Sequence, residues 1–216
     1  MKTVVFDLDG TLINSLDVWR KLDDDFLFKR GKIPNESYRK VINELPFPEA
    51  CQYIIDYFGL DMTRDEVMRE FNEAALYEYS FNIPYKQGAV EFVKALKKLG
   101  YKLAIATSST RECCTAILKR ENLLELFDDI LYADECGNGK ADPKFFAFLL
   151  HRLNAGADET VMYEDMYYSA RTAFSSGIKV VGLDNRALVE VGYDEKLVDV
   201  CQRIITDYDE EIRHYI

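Results

Sequence analysis

The sequence predicts an α/β protein: a doubly wound parallel sheet with a helical domain inserted after its first strand. Three observations carry this. Five short apolar segments are bounded by charged or turn residues, helical patterns lie between them, and one interval is far too long for an ordinary crossover. The predicted strands are 3–6, 103–106, 129–132, 161–163 and 180–183. Their brevity and nearly unbroken apolarity suit strands buried on both faces.

The helices follow from periodicity and from end signals. Segment 89–99 places Val90, Val93, Leu96 and Leu99 on one side and Lys94, Lys97 and Lys98 on the other, and stops at Gly100, where helices commonly end. Ser109 and Glu112 have the spacing of a capping box, so a helix is expected directly after the second strand. Segments 145–153 and 171–176 supply two more. Between Asp9 and Leu103 the chain spends more than ninety residues, whereas a βαβ unit needs about 30. The surplus has helical patterning at 18–29, 36–44, 49–58 and 64–79, punctuated by Pro34, Pro46, Pro48 and Pro84. A structureless loop of that length is improbable. The expected division is therefore a core of 1–14 with 85–216, and an inserted helical domain of 15–84.

Composition narrows the function. The 216 residues are 48% hydrophobic and 13% aromatic, enough to build a core and too much for a disordered chain. Twenty-seven Lys and Arg against 38 Asp and Glu give a net charge of -11, which speaks against non-specific binding to nucleic acid or to an anionic membrane. No long apolar run suggests a signal peptide or a membrane span, so a cytoplasmic protein is expected. Five cysteines are scattered with no Cys-x-x-Cys pair; neither zinc nor a disulfide framework is expected. With only His151 and His214 present, chemistry is to be sought among the acids.

The acids cluster at strand ends. Asp7-Leu8-Asp9-Gly10-Thr11 follows the first strand, Thr107-Ser108-Ser109 the second, and Glu164-Asp165 closes the fourth; Gly139-Lys140-Ala141-Asp142-Pro143 precedes a helix. In open parallel sheets ligands bind in the crevice outside the strand carboxyl ends. Alone, the Asp7 pentapeptide reads equally well as a turn. It is a poor calcium loop, lacking the further ligands that an EF-hand requires. Two carboxylate pairs, a hydroxyl cluster and a lysine at one sheet edge are not well explained as separate structural accidents.

These motifs, in this order, resemble the haloacid dehalogenase-like hydrolase superfamily, in the branch with a helical cap after the first strand that includes phosphoglycolate phosphatase and β-phosphoglucomutase. The resemblance covers nearly the whole chain and implies a Rossmann-like core, Mg²⁺ and an aspartyl-phosphate intermediate. It implies Asp7 as nucleophile and Asp9 as general acid and base. Thr107, Ser108 and Lys140 would bind the phosphoryl group, and Asp7, the Asp9 carbonyl and Asp165 the metal, with Glu164 as a further metal-site residue. A hard cation with oxygen ligands fits a reaction in which a carboxylate must approach a charged phosphoryl group. The implied activity is hydrolysis of a small phosphorylated metabolite by a monomer or weak dimer. Alternatives are a sugar phosphomutase using the same Asp7 and Asp9, and a non-catalytic binding protein on the same fold. A dehalogenase fits less well, since those relatives do not need an acid at the Asp9 position.

Met166 and Ser169 depart from the family's fourth motif, where a Ser and a later Gly are usual, and Asn14 stands where an acid is frequent. The cap would choose the substrate, with Leu45 and Phe47, in the segment from Glu44 to Glu49, as specificity candidates. Arg30, Arg39 or Lys40 would read any second phosphate. Trp19, Phe26, Tyr53, Phe58 and Phe71 are expected to pack the cap rather than to touch substrate.

Overall fold

The computed structural model describes residues 2–42, 45, 47–137, 139–185 and 195–216. Its strands are β1 (Thr3–Phe6), β2 (Lys102–Thr107), β3 (Asp129–Tyr132), β4 (Thr160–Glu164), β5 (Lys179–Leu183) and β6 (Arg203–Ile205). They form one sheet in the order β3-β2-β1-β4-β5-β6, with every neighbouring pair parallel. The five predicted strands are all present. The sixth escapes sequence reading because Arg203-Ile204-Ile205 is a partly exposed edge strand of three residues, too short to show a period.

The helices are α1 (Leu16–Phe28), α2 (Glu36–Ile42), α3 (Phe47–Phe58), α4 (Arg64–Phe81), α5 (Ala89–Lys98), α6 (Arg111–Arg120), α7 (Pro143–Leu153) and α8 (Tyr167–Ser175). Both faces of the sheet are covered. One layer joins Val4, Phe6, Ile105 and Tyr163 to α5 and α6, the other joins Val5, Ala104, Leu131 and Met162 to α7 and α8. Helix α5 buries Val93 and Leu96 as its pattern predicts, and also Phe92, while Val90 is only partly buried. Leu99, expected on that face, is its C-cap and is 45% exposed, because the chain turns away there toward Gly100. Helix α8 begins four residues earlier than expected, at Tyr167.

The expected capping box at Ser109 is not formed. Thr110 is the N-cap of α6 and its hydroxyl accepts from the Cys113 amide, which releases the Ser109 side chain for another contact. Helix α4, by contrast, has a full capping box: Thr63 Oγ1 accepts from the Glu66 amide, and Glu66 Oε2 from the Thr63 amide at 2.8 Å.

Helices α1 to α4 are joined to the core through two adjacent segments. Ile13 bridges Tyr85, the Asn14 amide donates to the Pro84 carbonyl at 2.9 Å, and the Lys86 amide to the Leu12 carbonyl at 2.9 Å. Between them α1, α3 and α4 pack together, with Phe26 stacked on Phe71 at 4.8 Å and Tyr38 on Tyr53 at 5.8 Å. The aromatics expected to pack this region do so.

Buried in that packing, Asp23 accepts from the Tyr38 hydroxyl at 2.6 Å and is 8% exposed. Burial pushes its carboxyl up to about 6, against a partly offsetting hydrogen bond from Tyr38. The folded state thus holds the proton more tightly than the unfolded chain does. The resulting stabilisation is present below about pH 4 and is lost as pH rises through about 6. Asp23→Asn keeps an acceptor for Tyr38 and removes the charge. Its stability relative to the parent should climb between pH 4 and 6 and level off at up to about 3 kcal/mol, measured by urea unfolding across that range. Parallel curves for the two proteins would show that Asp23 ionises without penalty.

Candidate active site

The chain runs from β1 to β2 to β3 on one side, then crosses back over β1 to β4 and β5 on the other. The carboxyl end of β1 therefore lies where the direction of winding reverses, the usual place for a ligand crevice. Asp7 is the first residue beyond β1, and its amide donates to the Tyr163 carbonyl of β4 at 2.9 Å. Thr107 ends β2, Glu164 ends β4 with Asp165 next, and Lys140 arrives on a short 3-10 turn, Gly139–Ala141, before α7.

These side chains converge. Lys140 Nζ donates to Asp7 Oδ1 at 2.6 Å and to Glu164 Oε2 at 3.0 Å, all three groups being buried. Glu164 also accepts from Ser169 Oγ at 2.5 Å and from the amides of Asp165 and Met166 at 3.1 and 3.0 Å. The unusual fourth motif is thereby accounted for: Ser169 contributes its hydroxyl, while Met166 is needed only for its amide and exposes its side chain. Four donors on Glu164 make it the support of Lys140.

Three carboxylates share this buried space with one ammonium. Burial pushes the Asp7 carboxyl up to about 7, with Lys140 opposing and Glu164 and Asp9 adding to the rise. Asp165 is also held well above its ordinary range by burial, then by the charges of Asp7 and Glu164. Burial works against the charge on Lys140, but Asp7 and Glu164 outweigh it and keep the lysine protonated.

The arrangement suits a hard cation. Oxygens of Asp7, Glu164 and Asp165 lie within 4.8 Å of one another, and Asp165 Oδ1 is buried with no hydrogen-bond partner among the described residues. An all-oxygen, acidic donor set favours Mg²⁺ over softer metals. Gly10 makes room for the Asp165 carboxyl. At φ +73° a side chain is strained there, and a Cβ would stand 2.1 Å from Asp165 Oδ2.

Asp9 is half-buried; one of its oxygens accepts from the Tyr79 hydroxyl and the other from Ser109 Oγ. Thr107 is buried and its hydroxyl accepts from the Ser109 amide at 3.0 Å, which turns the chain so that Ser108 faces solvent above the sheet. Asp7, Asp9, Thr107, Ser108, Lys140, Glu164 and Asp165 thus share one edge. Of the specificity candidates, Phe47 meets Trp19 at 6.0 Å and Phe71 at 6.3 Å. Leu45 is half-buried, and Glu44 and Pro46 lie outside the described residues. Arg30 is committed to a bidentate pair with Glu70, and Arg39 to Asp24.

Two further residues of the site have no place in the sequence expectations. Asn185, just beyond β5, donates to Asp165 Oδ2 and to the Gly10 carbonyl, both at 3.0 Å. The strand-end rule that singles out the acids could have found it. Lys86 is 3% exposed and donates to Asn185 Oδ1 at 2.5 Å and to Asn14 Oδ1 at 3.1 Å. It joins both connections of the inserted region to the residue that steadies Asp165. Nothing in its local sequence marks it.

The sequence profile of haloacid dehalogenase-like hydrolases matches residues 4–183, a span that includes every acid of the site. The chain belongs to this family. Among relatives of this haloacid dehalogenase-like hydrolase, the pyrophosphatase PpaX of Halalkalibacterium halodurans is 32% identical over 96% of the chain and 91% of its own length. A phosphorylated carbohydrates phosphatase of Thermotoga maritima is 26% identical over 95% of the chain and 100% of its own length. The hydrolase superposes on CbbY from Rhodobacter sphaeroides, solved with phosphate, with a TM-score of 0.80 at 18% identity, covering 97% and 96% of the two chains. The last of these likenesses shows the fold.

Proposed function

We propose that this hydrolase is a Mg²⁺-dependent phosphatase that cleaves a small phosphate monoester through an aspartyl-phosphate on Asp7. The observation that carries the proposal is the buried Asp7–Lys140–Glu164 arrangement beside an Asp165 oxygen with no partner among the described residues. A phosphatase named for phosphorylated carbohydrates among the relatives supports the substrate class.

Asp7, the Asp9 carbonyl and Asp165 would hold Mg²⁺, which when bound neutralises phosphoryl charge and orients the ester for in-line attack. Lys140 screens the charge of the incoming phosphoryl oxygens, and Thr107 and Ser108 bind another oxygen. Glu164 holds Lys140 in position. Asp9 supplies a proton to the departing alcohol oxygen and later takes one from the attacking water. Residues 15–84 form the cap that encloses the substrate and excludes water. Five free cysteines, buried or half-buried, suit a reducing, cytoplasmic setting.

A screen of sugar phosphates, phosphoglycolate, pyrophosphate and nucleotides with Mg²⁺ tests the proposal. Phosphate release is expected, falling to background with chelator and returning with added Mg²⁺. Undiminished activity in metal-free buffer would exclude the metal site, and phosphoryl transfer to a second sugar in place of release would establish a phosphomutase.

A further inference from the structure

We propose that Tyr79, carried by the inserted region, is a positioning residue that works with Ser109 to aim the Asp9 carboxyl for proton transfer. This rests on the phosphatase proposal and adds a residue to it.

Tyr79 is fully buried near the end of α4. Its hydroxyl donates to Asp9 Oδ1 and lies 3.1 Å from Ser109 Oγ, which itself donates to Asp9 Oδ2. Among the described residues each Asp9 oxygen thus has one donor, so the carboxyl of a half-buried loop residue cannot rotate freely. A carboxylate has about four acceptor sites, and two remain for substrate and water.

The tyrosine is anchored to the core rather than carried freely with the cap. Arg120 on α6 donates to the Tyr79 carbonyl at 3.2 Å and to the Ile83 carbonyl at 2.8 Å, tying the last turn of α4 and the residues after it to the sheet's own helix layer. Trp19 packs on the Tyr79 ring at 6.4 Å. A phenol held this firmly against a reacting carboxyl fixes its direction, and small errors of aim are costly in proton transfer.

In the first step the Asp7 oxygen bonds to phosphorus as the ester P–O bond breaks, and the Asp9 proton goes to the leaving alcohol oxygen. In the second, water bonds to phosphorus as the Asp7–phosphorus bond breaks, and its proton goes to Asp9. A leaving group that departs as a stable phenolate needs no proton in the first step but still depends on Asp9 in the second.

Tyr79→Phe keeps the ring on Trp19 and removes the hydroxyl. It is to be compared with the parent on glycerol phosphate and p-nitrophenyl phosphate, with Asp7→Asn as a dead control. Phosphoryl transfer from glycerol phosphate should fall by roughly tenfold or more, with KM little changed. Transfer from p-nitrophenyl phosphate should stay within about twofold, and a burst of nitrophenolate should appear as the second step slows. Ser109→Ala should shift both esters the same way, less strongly, and decides the matter if Tyr79→Phe does not fold. Equal losses in the transfer step on the two esters, or none, would overturn the positioning role. If the parent hydrolyses neither ester, nor any phosphate in the screen, the phosphatase proposal fails and this one with it; with an active parent, the comparison bears on Tyr79 alone.

Discussion

Asp7→Asn is expected to remove turnover by about 10⁴-fold or more on every phosphate the enzyme accepts, the scale seen when a nucleophile is deleted from a catalytic set. A carboxamide cannot form the acyl phosphate. The side chain keeps its shape and can still accept from Lys140, which also retains Glu164 at 3.0 Å, so unfolding should stay cooperative and close to the parent's midpoint. Because burial already pushes the Asp7 carboxyl up to about 7, the neutral amide removes a desolvation cost. Steady-state assays with a denaturation curve for each protein check both halves. Activity near the parent's would remove Asp7 from the chemistry, and an unfolded variant would reassign it to the core.

Lys140→Met has the second largest expected effect, and it acts on stability as well as on rate. The substitution leaves Asp7, Glu164 and Asp165 facing one another with no cation among them. Removing one partner of a buried ion pair typically costs about 3–5 kcal/mol, and here one lysine serves two partners. Denaturation in chelator should show a loss of that size, with Mg²⁺ restoring part of it by supplying positive charge to the same carboxylates. Turnover should fall by roughly 10²–10³-fold, equally for bulky and small phosphates, because the role proposed for Lys140 is at the phosphoryl group common to all. A loss confined to one substrate would place Lys140 in specificity. Unchanged stability in chelator would mean that the carboxylates do not depend on it.

The site is legible in the sequence because it is built from strand ends. Buried strands can be placed from their apolar runs, and the residues just beyond them (Asp7, Thr107, Glu164 and Asp165) are brought together by parallel alignment alone. Lys140 is recognisable from its helix-start context. What escapes depends on contacts between distant segments. Tyr79 meets Asp9 across 70 residues and Lys86 meets Asn185 across 99, and neither has a local signature, since a tyrosine on an amphipathic helix or a lysine near a glycine is commonplace. Ser109 reads as a helix cap because its spacing to Glu112 fits one. The next residue, Thr110, caps instead, and the Ser109 hydroxyl donates to Asp9. Arg30 and Arg39 look available for a substrate phosphate, yet each has a carboxylate partner on a different helix that periodicity cannot foresee.

The most direct test of the central claim is to quench the enzyme with acid during turnover of a ³²P-labelled substrate and locate the label by peptide mapping. The account predicts an acid-stable, base-labile phosphoryl group on the peptide that carries Asp7, lost on chase with unlabelled substrate and absent in Asp7→Asn. Turnover with no label on the protein, or with the label on another residue, would contradict it.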